Sequence, residues 1–177
     1  IGYNTLTAVT SGDYNIAIGH QAGDAVNSAH NNVFLGLDAG GGVTSGAENV
    51  AIGRNAMARG SATLDSAIAI GGYTLDNADS AYDDLTIAIG GSALSAQDLG
   101  AATPNTAIGG YAGQAITTGG YNVILGFKAM QTSTVAASNT VIGYEAGLKL
   151  GTNGASTDNI VIGKQAMDAA DGTEQNN

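Results

Sequence analysis

Residues 105–130 read NTAIGGYAGQAITTGGYNVILGFKAM, which states one phrase twice. An Asn, three aliphatic or Thr residues, a Gly, two variable residues and an Ala appear, then reappear 17 positions later. Followed outward with the Gly as anchor, the phrase recurs at Gly2, Gly19, Gly36, Gly53, Gly71, Gly90, Gly109, Gly126, Gly143 and Gly163. The steps are 17, 17, 17, 18, 19, 19, 17, 17 and 20 residues. Self-similarity at such a period marks a solenoid, in which each repeat buries its apolar surface only by stacking on its neighbours. The reading is therefore all-β: a parallel β-solenoid of the β-roll kind, about ten coils of 17–20 residues, one continuous array over residues 1–177.

Position by position, the phrase is a strand. The residue before each anchor is Ile or Leu, and the one three before is β-branched in every complete copy, from Ile16 to Ile160. β-branched side chains suit the pleated backbone. Between them stands the column Ala17, Phe34, Ala51, Ala69, Ala88, Ala107, Ile124, Val141 and Val161. Successive strand side chains point to opposite faces. No charged residue enters any copy, so both faces of this strand are expected to be covered, one inside its own coil and one by something else. A thin coil buries little of its own. The small middle column is therefore predicted to face sister chains as the subunit interface of a homo-oligomer, most simply a trimer.

Asn stands four before the anchor at Asn15, Asn32, Asn49, Asn105, Asn122, Asn139 and Asn159. These are expected to stack as a ladder of side-chain amides from coil to coil. The glycines Gly19, Gly36, Gly53, Gly71, Gly90, Gly109, Gly126, Gly143 and Gly163 are expected to turn the chain, after which a small residue three positions on begins a second strand. The next position is Leu or Met at Leu6, Met57, Leu75, Leu94, Met130 and Met167, and Gly at Gly23, Gly40, Gly113 and Gly147. In the Gly coils an aliphatic follows three residues later, at Val26, Val43, Ile116 and Leu150. In most of the others that later place holds Gly60, Ala78, Gln97, Ser133 or Ala170. One interior slot filled from either of two positions is the reading, as a packed core of constant volume requires. Insertions and 13 of the 15 acidic residues fall in the spacer before the next Asn, as in an outward loop.

Composition narrows the function. Net charge is −10, with only 5 Lys and Arg and no basic cluster, which disfavours nucleic acid and anionic membrane as partners. No apolar run approaches the ~18 residues of a membrane-spanning helix. There is no cysteine and hence no thiolate metal site. His20 and His30 are the only histidines and are read as exposed loop residues. Asp76, Asp79, Asp83 and Asp84 form one dense acidic cluster, read as a solvated loop in preference to a Ca²⁺ site. No catalytic, cofactor-binding or metal residue is expected, and the chain is read as no enzyme. Tyr3, Phe127 and Tyr144 follow anchor glycines directly, with Tyr73 and Tyr111 one later. They are read as packing over the turn, with stacking on surface glycans as the alternative.

Two copies, Asn15-Ile-Ala-Ile-Gly-His-Gln-Ala-Gly23 and Asn49-Val-Ala-Ile-Gly-Arg-Asn-Ala-Met57, resemble the head repeats of trimeric autotransporter adhesins. The longer period, with Asn-Thr-Ala-Ile-Gly-Gly-Tyr-Ala-Gly and Thr-Thr-Gly spacers, is more similar to the repeats of bacteriophage tail-fibre shafts. The resemblance covers essentially the whole chain. It implies a left-handed roll, three chains side by side, and an extracellular place on a virion fibre or cell-surface appendage serving attachment. Both ends break off within a repeat, which reads as a window onto a longer fibre. A hexapeptide-repeat acyltransferase matches at Ile18-Gly-His-Gln-Ala-Gly23, but that family needs three successive hexads per turn and each coil here offers one. An ice-binding solenoid needs a regular Thr array, and the Thr residues here are irregular.

Overall fold

A computed structural model describes residues 1–59, 63–77, 85–97, 104–152 and 154–169. Among these residues nine three-residue strands stack in chain order into a single parallel sheet. They are Ile16–Ile18 (β1), Val33–Leu35 (β2), Val50–Ile52 (β3), Ile68–Ile70 (β4), Ile87–Ile89 (β5), Thr106–Ile108 (β6), Val123–Leu125 (β7), Thr140–Ile142 (β8) and Ile160–Ile162 (β9). Register is uniform: Ile16 sits opposite Val33, Val33 opposite Val50, and so on to Thr140 opposite Ile160. The chain is a parallel β-solenoid, with no helix among the described residues.

The expected second strand is absent from those residues. After each anchor glycine the chain runs through consecutive turns, and the reason is backbone handedness. The anchors adopt φ from 125° to 143°, a region open only to Gly. Two and four residues later φ is positive again at every repeat, as at Asp38 (55°) and Gly40 (67°), or Lys128 (58°) and Met130 (50°). Left-handed backbone at alternate positions curls a strand into an arc. Stacking continues through that arc nonetheless: the amide of Gly40 donates to the Ala56 carbonyl at 2.8 Å and that of Gly113 to Ala129 at 2.9 Å.

The position four after the anchor is thus left-handed in every repeat, which accounts for its split between Gly and Leu or Met, neither of which branches at Cβ. A β-branched residue there is a true conformational outlier, whereas Leu and Met tolerate it at a cost of order 1 kcal/mol. The shared interior slot is visible at Gly113. A methyl group there would lie 2.8 Å from Leu94 Cδ2, 2.9 Å from Ile124 Cδ1 and 3.0 Å from Ile116 Cδ1. Leu94 of one coil and Ile116 of the next close on the space that Gly113 leaves. Phe34, the largest side chain of the middle column, lodges between Gly23 and Gly40 in the same way. Gly60, Ala78 and Ala170 lie outside the described residues.

The middle column itself corrects the sequence reading. Ala17, Phe34, Ala51, Ala69, Ala88, Ala107, Ile124, Val141 and Val161 are all buried inside the chain's own core, not presented to a subunit interface. The outer residues of the same strands face solvent: Ala17 is 7% exposed between Ile16 at 55% and Ile18 at 46%. The interior takes one side chain per strand, beside the aliphatics supplied by the turn, and has room for one as large as Phe34 only where the turn residues are Gly23 and Gly40. The other two side chains of each strand point out.

Candidate interaction surface

The Asn column decides which way the strand faces. Asn32, Asn49, Asn105, Asn122, Asn139 and Asn159 are buried, and Asn15 at the first rung is half-buried. Asn122 Oδ1 accepts from the Asn139 backbone amide at 3.0 Å and from Asn139 Nδ2 at 3.1 Å. Asn122 Nδ2 donates to Asn105 Oδ1 at 3.0 Å and to the Ala136 carbonyl at 2.8 Å. The same pattern joins Asn15 to Asn32 and Asn139 to Asn159, while Asn32 Oδ1 takes the Asn49 amide at 2.8 Å. The ladder is interrupted where Ala67 and Thr86 replace Asn. Buried Gln97 spans part of that gap, donating to Thr86 Oγ1 and accepting from Asn105 Nδ2, each at 3.4 Å.

Asn and the middle residue stand two apart, so they share a face. An amide ladder shut inside the coil carries the middle column inside with it. The two columns share parity in the sequence, and the burial of the ladder decides which face is inward.

The anchor glycines form a second, half-exposed column. A methyl group on Gly53 would lie 2.6 Å from the Gly71 carbonyl oxygen, and one on Gly90 would lie 2.5 Å from that of Gly109. Backbones touch there, which no other residue permits. Where Thr74 replaces the usual Ala, its hydroxyl donates to the Gly90 carbonyl at 2.8 Å.

What remains outside is a flat aliphatic strip. Its first column is Ile16, Val33, Val50, Ile68, Ile87, Thr106, Val123, Thr140 and Ile160; its second is Ile18, Leu35, Ile52, Ile70, Ile89, Ile108, Leu125, Ile142 and Ile162. All are exposed or half-exposed, and none is charged. Nine strands ~4.8 Å apart make it about 38 Å long.

The corner aromatics are exposed and meet other rings from coil to coil. Tyr3 stacks on His20 with centroids 5.4 Å apart, Phe127 on Tyr144 at 6.0 Å, and Tyr111 meets Phe127 edge-on at 5.8 Å. Arg54 lies 4.7 Å over the Tyr73 ring and Lys164 5.9 Å over Tyr144. Tyr144 donates to Glu145, which together with that carboxylate's charge raises the phenol's pKa. His20 and His30 are exposed.

Asp76 departs from the solvated-loop reading. It is 7% exposed, its Oδ1 is buried without a hydrogen-bond partner, and Arg59 Nη1 lies 3.8 Å from Oδ2. Burial raises its carboxyl pKa, with Arg59 pulling back. Asp79, Asp83 and Asp84 lie outside the described residues. Among the described residues no three His, Cys, Asp or Glu side chains gather as a metal site. No pocket opens among those residues, and no helix is long and apolar enough to cross a membrane.

No protein-family model, curated protein or solved structure matches this chain.

Proposed function

We propose that this chain is a structural shaft: a left-handed rod that associates with copies of itself, as a trimer, and holds an attachment element away from the virion or cell that carries it. The observation that carries the reading is the uncharged aliphatic strip on the outward strand face. With the column five residues before the anchor glycine and the column just after it, seven residues from edge to edge, the surface is at most about 20 Å wide and about 38 Å long, roughly 700 Å². That approaches the ~800 Å² that each partner contributes to a standard stable interface with an apolar centre and a polar rim, and the uncharged strip at its centre is the kind of exposed apolar patch that marks an interaction site. The interface proposed is thus the Ile and Leu columns, in place of the buried middle column. The tail-fibre and adhesin likeness of the repeats supports the extracellular setting, with a bacterial adhesin head as the alternative owner.

The test is mass in solution. Light scattering on the purified chain should give a multiple of 17.4 kDa. Ile52→Lys with Ile89→Lys, both on the outward face, should return the monomer mass while leaving the β-sheet circular dichroism unchanged. A monomer mass for the unaltered chain overturns the proposal.

A further inference from the structure

We infer that the rod is two stiff blocks, β1–β3 and β6–β9, joined at β4–β5 by a compliant section where it opens first. Its use as a joint rests on the shaft reading, whereas the opening itself rests on the amide spine alone.

Within each block the spine ties a coil to the next in two ways. An Asn Oδ1 accepts the backbone amide of the Asn one coil on, as Asn32 does from Asn49 at 2.8 Å and Asn105 from Asn122 at 2.9 Å. The Asn Nδ2 donates to a carbonyl of the following spacer, from Asn32 to Gly46 at 2.9 Å, Asn49 to Leu64 at 2.6 Å and Asn105 to Gly119 at 2.9 Å. At β4 the equivalent residue is Ala67, which is buried and has no polar side-chain atom, so it makes neither tie to the coil of β5. At β5 it is Thr86, and Gln97 restores the connection only in part, through contacts to Thr86 and Asn105 that at 3.4 Å lie beyond the usual hydrogen-bond range. The same section buries Asp76 Oδ1 without a hydrogen-bond partner, which disfavours the closed coil further.

Strand pairing does not compensate. The amides of Ile68 and Ile87 donate to the carbonyls of Thr86 and Asn105, each at 2.9 Å, and those of Val33 and Val123 donate to Asn49 and Asn139, each at 2.8 Å. These four bonds are alike, and the spine beside them is not. A stack held by nearest-neighbour contacts frays from its ends, so its middle coils are ordinarily the best protected. Buried amide networks strengthen the contacts they pass through. Two successive contacts without a full tie reverse the order and put the weakest place inside the array. A shaft so built yields at one section under load while the blocks on either side stay folded.

Amide hydrogen exchange on the whole chain, resolved to single residues, reads this directly. Ile68 and Ile87 should exchange at least about tenfold faster than Val33 and Val123, the order of one net hydrogen bond. Ala67→Asn/Thr86→Asn completes the spine, and Gln97→Ser clears room for it, since Ser133 holds that place in the coil of β7. The triple variant should remove the difference, and Gln97→Ser alone should not. Asn122→Thr, which copies the gap into the second block, should speed exchange at Val123 and leave Val33 unchanged. Equal exchange at the four amides of the unaltered chain overturns the inference. So does a folded triple variant in which Ile68 and Ile87 stay fast, or an Asn122→Thr chain with Val123 still slow. None of these results alters the mass in solution, by which the shaft reading stands or falls separately.

Discussion

Ile124 and Leu125 are adjacent residues of β7, similar in size and apolarity, yet one is fully buried and the other 44% exposed. The inward residue is held among Leu94, Gly113 and Ile116, where a single methyl group would collide. The outward one touches no such limit. An apolar residue in a thin solenoid therefore takes one of two different places, holding the coil shut or lying on its open face, and the chain's chemistry alone does not distinguish them.

The sharpest break in this comparison is to charge each position in turn. Ile124→Asp buries a carboxylate without a partner and should cost about 4 kcal/mol or more, collapsing the thermal transition. Leu125→Asp should move the transition of the monomeric Ile52→Lys/Ile89→Lys background by less than ~1 kcal/mol. Equal losses would contradict the inward and outward assignment.

Next in size is the glycine column. Gly126→Ala drives a methyl group into the Gly143 carbonyl and adds strain at φ 141°, an expected cost of about 3 kcal/mol. At Gly163 the nearest atom to such a methyl is Ala166 Cβ at 3.9 Å, so Gly163→Ala should cost measurably less in denaturant titration. Asn122→Ala follows, at about 2–3 kcal/mol, because it strips the buried Asn139 amide of its acceptor.

The smallest effect concerns Asp76. Its folded pKa lies above the ordinary 3.8 through burial, with Arg59 opposing. The folded state therefore holds the proton more tightly than the unfolded one. The stability this contributes is full below the ordinary value and is lost as pH rises through the raised one. Asp76→Asn should flatten that part of a melting-temperature profile taken from pH 3 to 7 and slightly stabilise the rod at neutral pH. A profile unchanged by the substitution would contradict the burial of this carboxyl.

Period and strand were legible from Asn105–Met130 onward, because every coil must meet the same neighbours and so repeats the same residues. The Asn ladder was legible too, since amides recurring once per coil have each other as natural partners. The arc after each anchor was not. Its left-handed positions are occupied by residues as unlike as Asp38, Tyr73, Leu94 and Lys128, and only Gly among residue types announces such a backbone from sequence. Asp76 looked like loop chemistry by composition, and its burial depends on the neighbouring coil that brings Arg59 alongside.

By itself the sequence determined a stacked parallel array, its period, its amide spine and the absence of charge from both faces of each strand. Those are local and periodic properties, written once per coil. Which face closes the coil was decided only in three dimensions. A narrow interior admits the side chain that the turn residues leave room for, and that choice is made by packing across coils rather than by any one residue's preference.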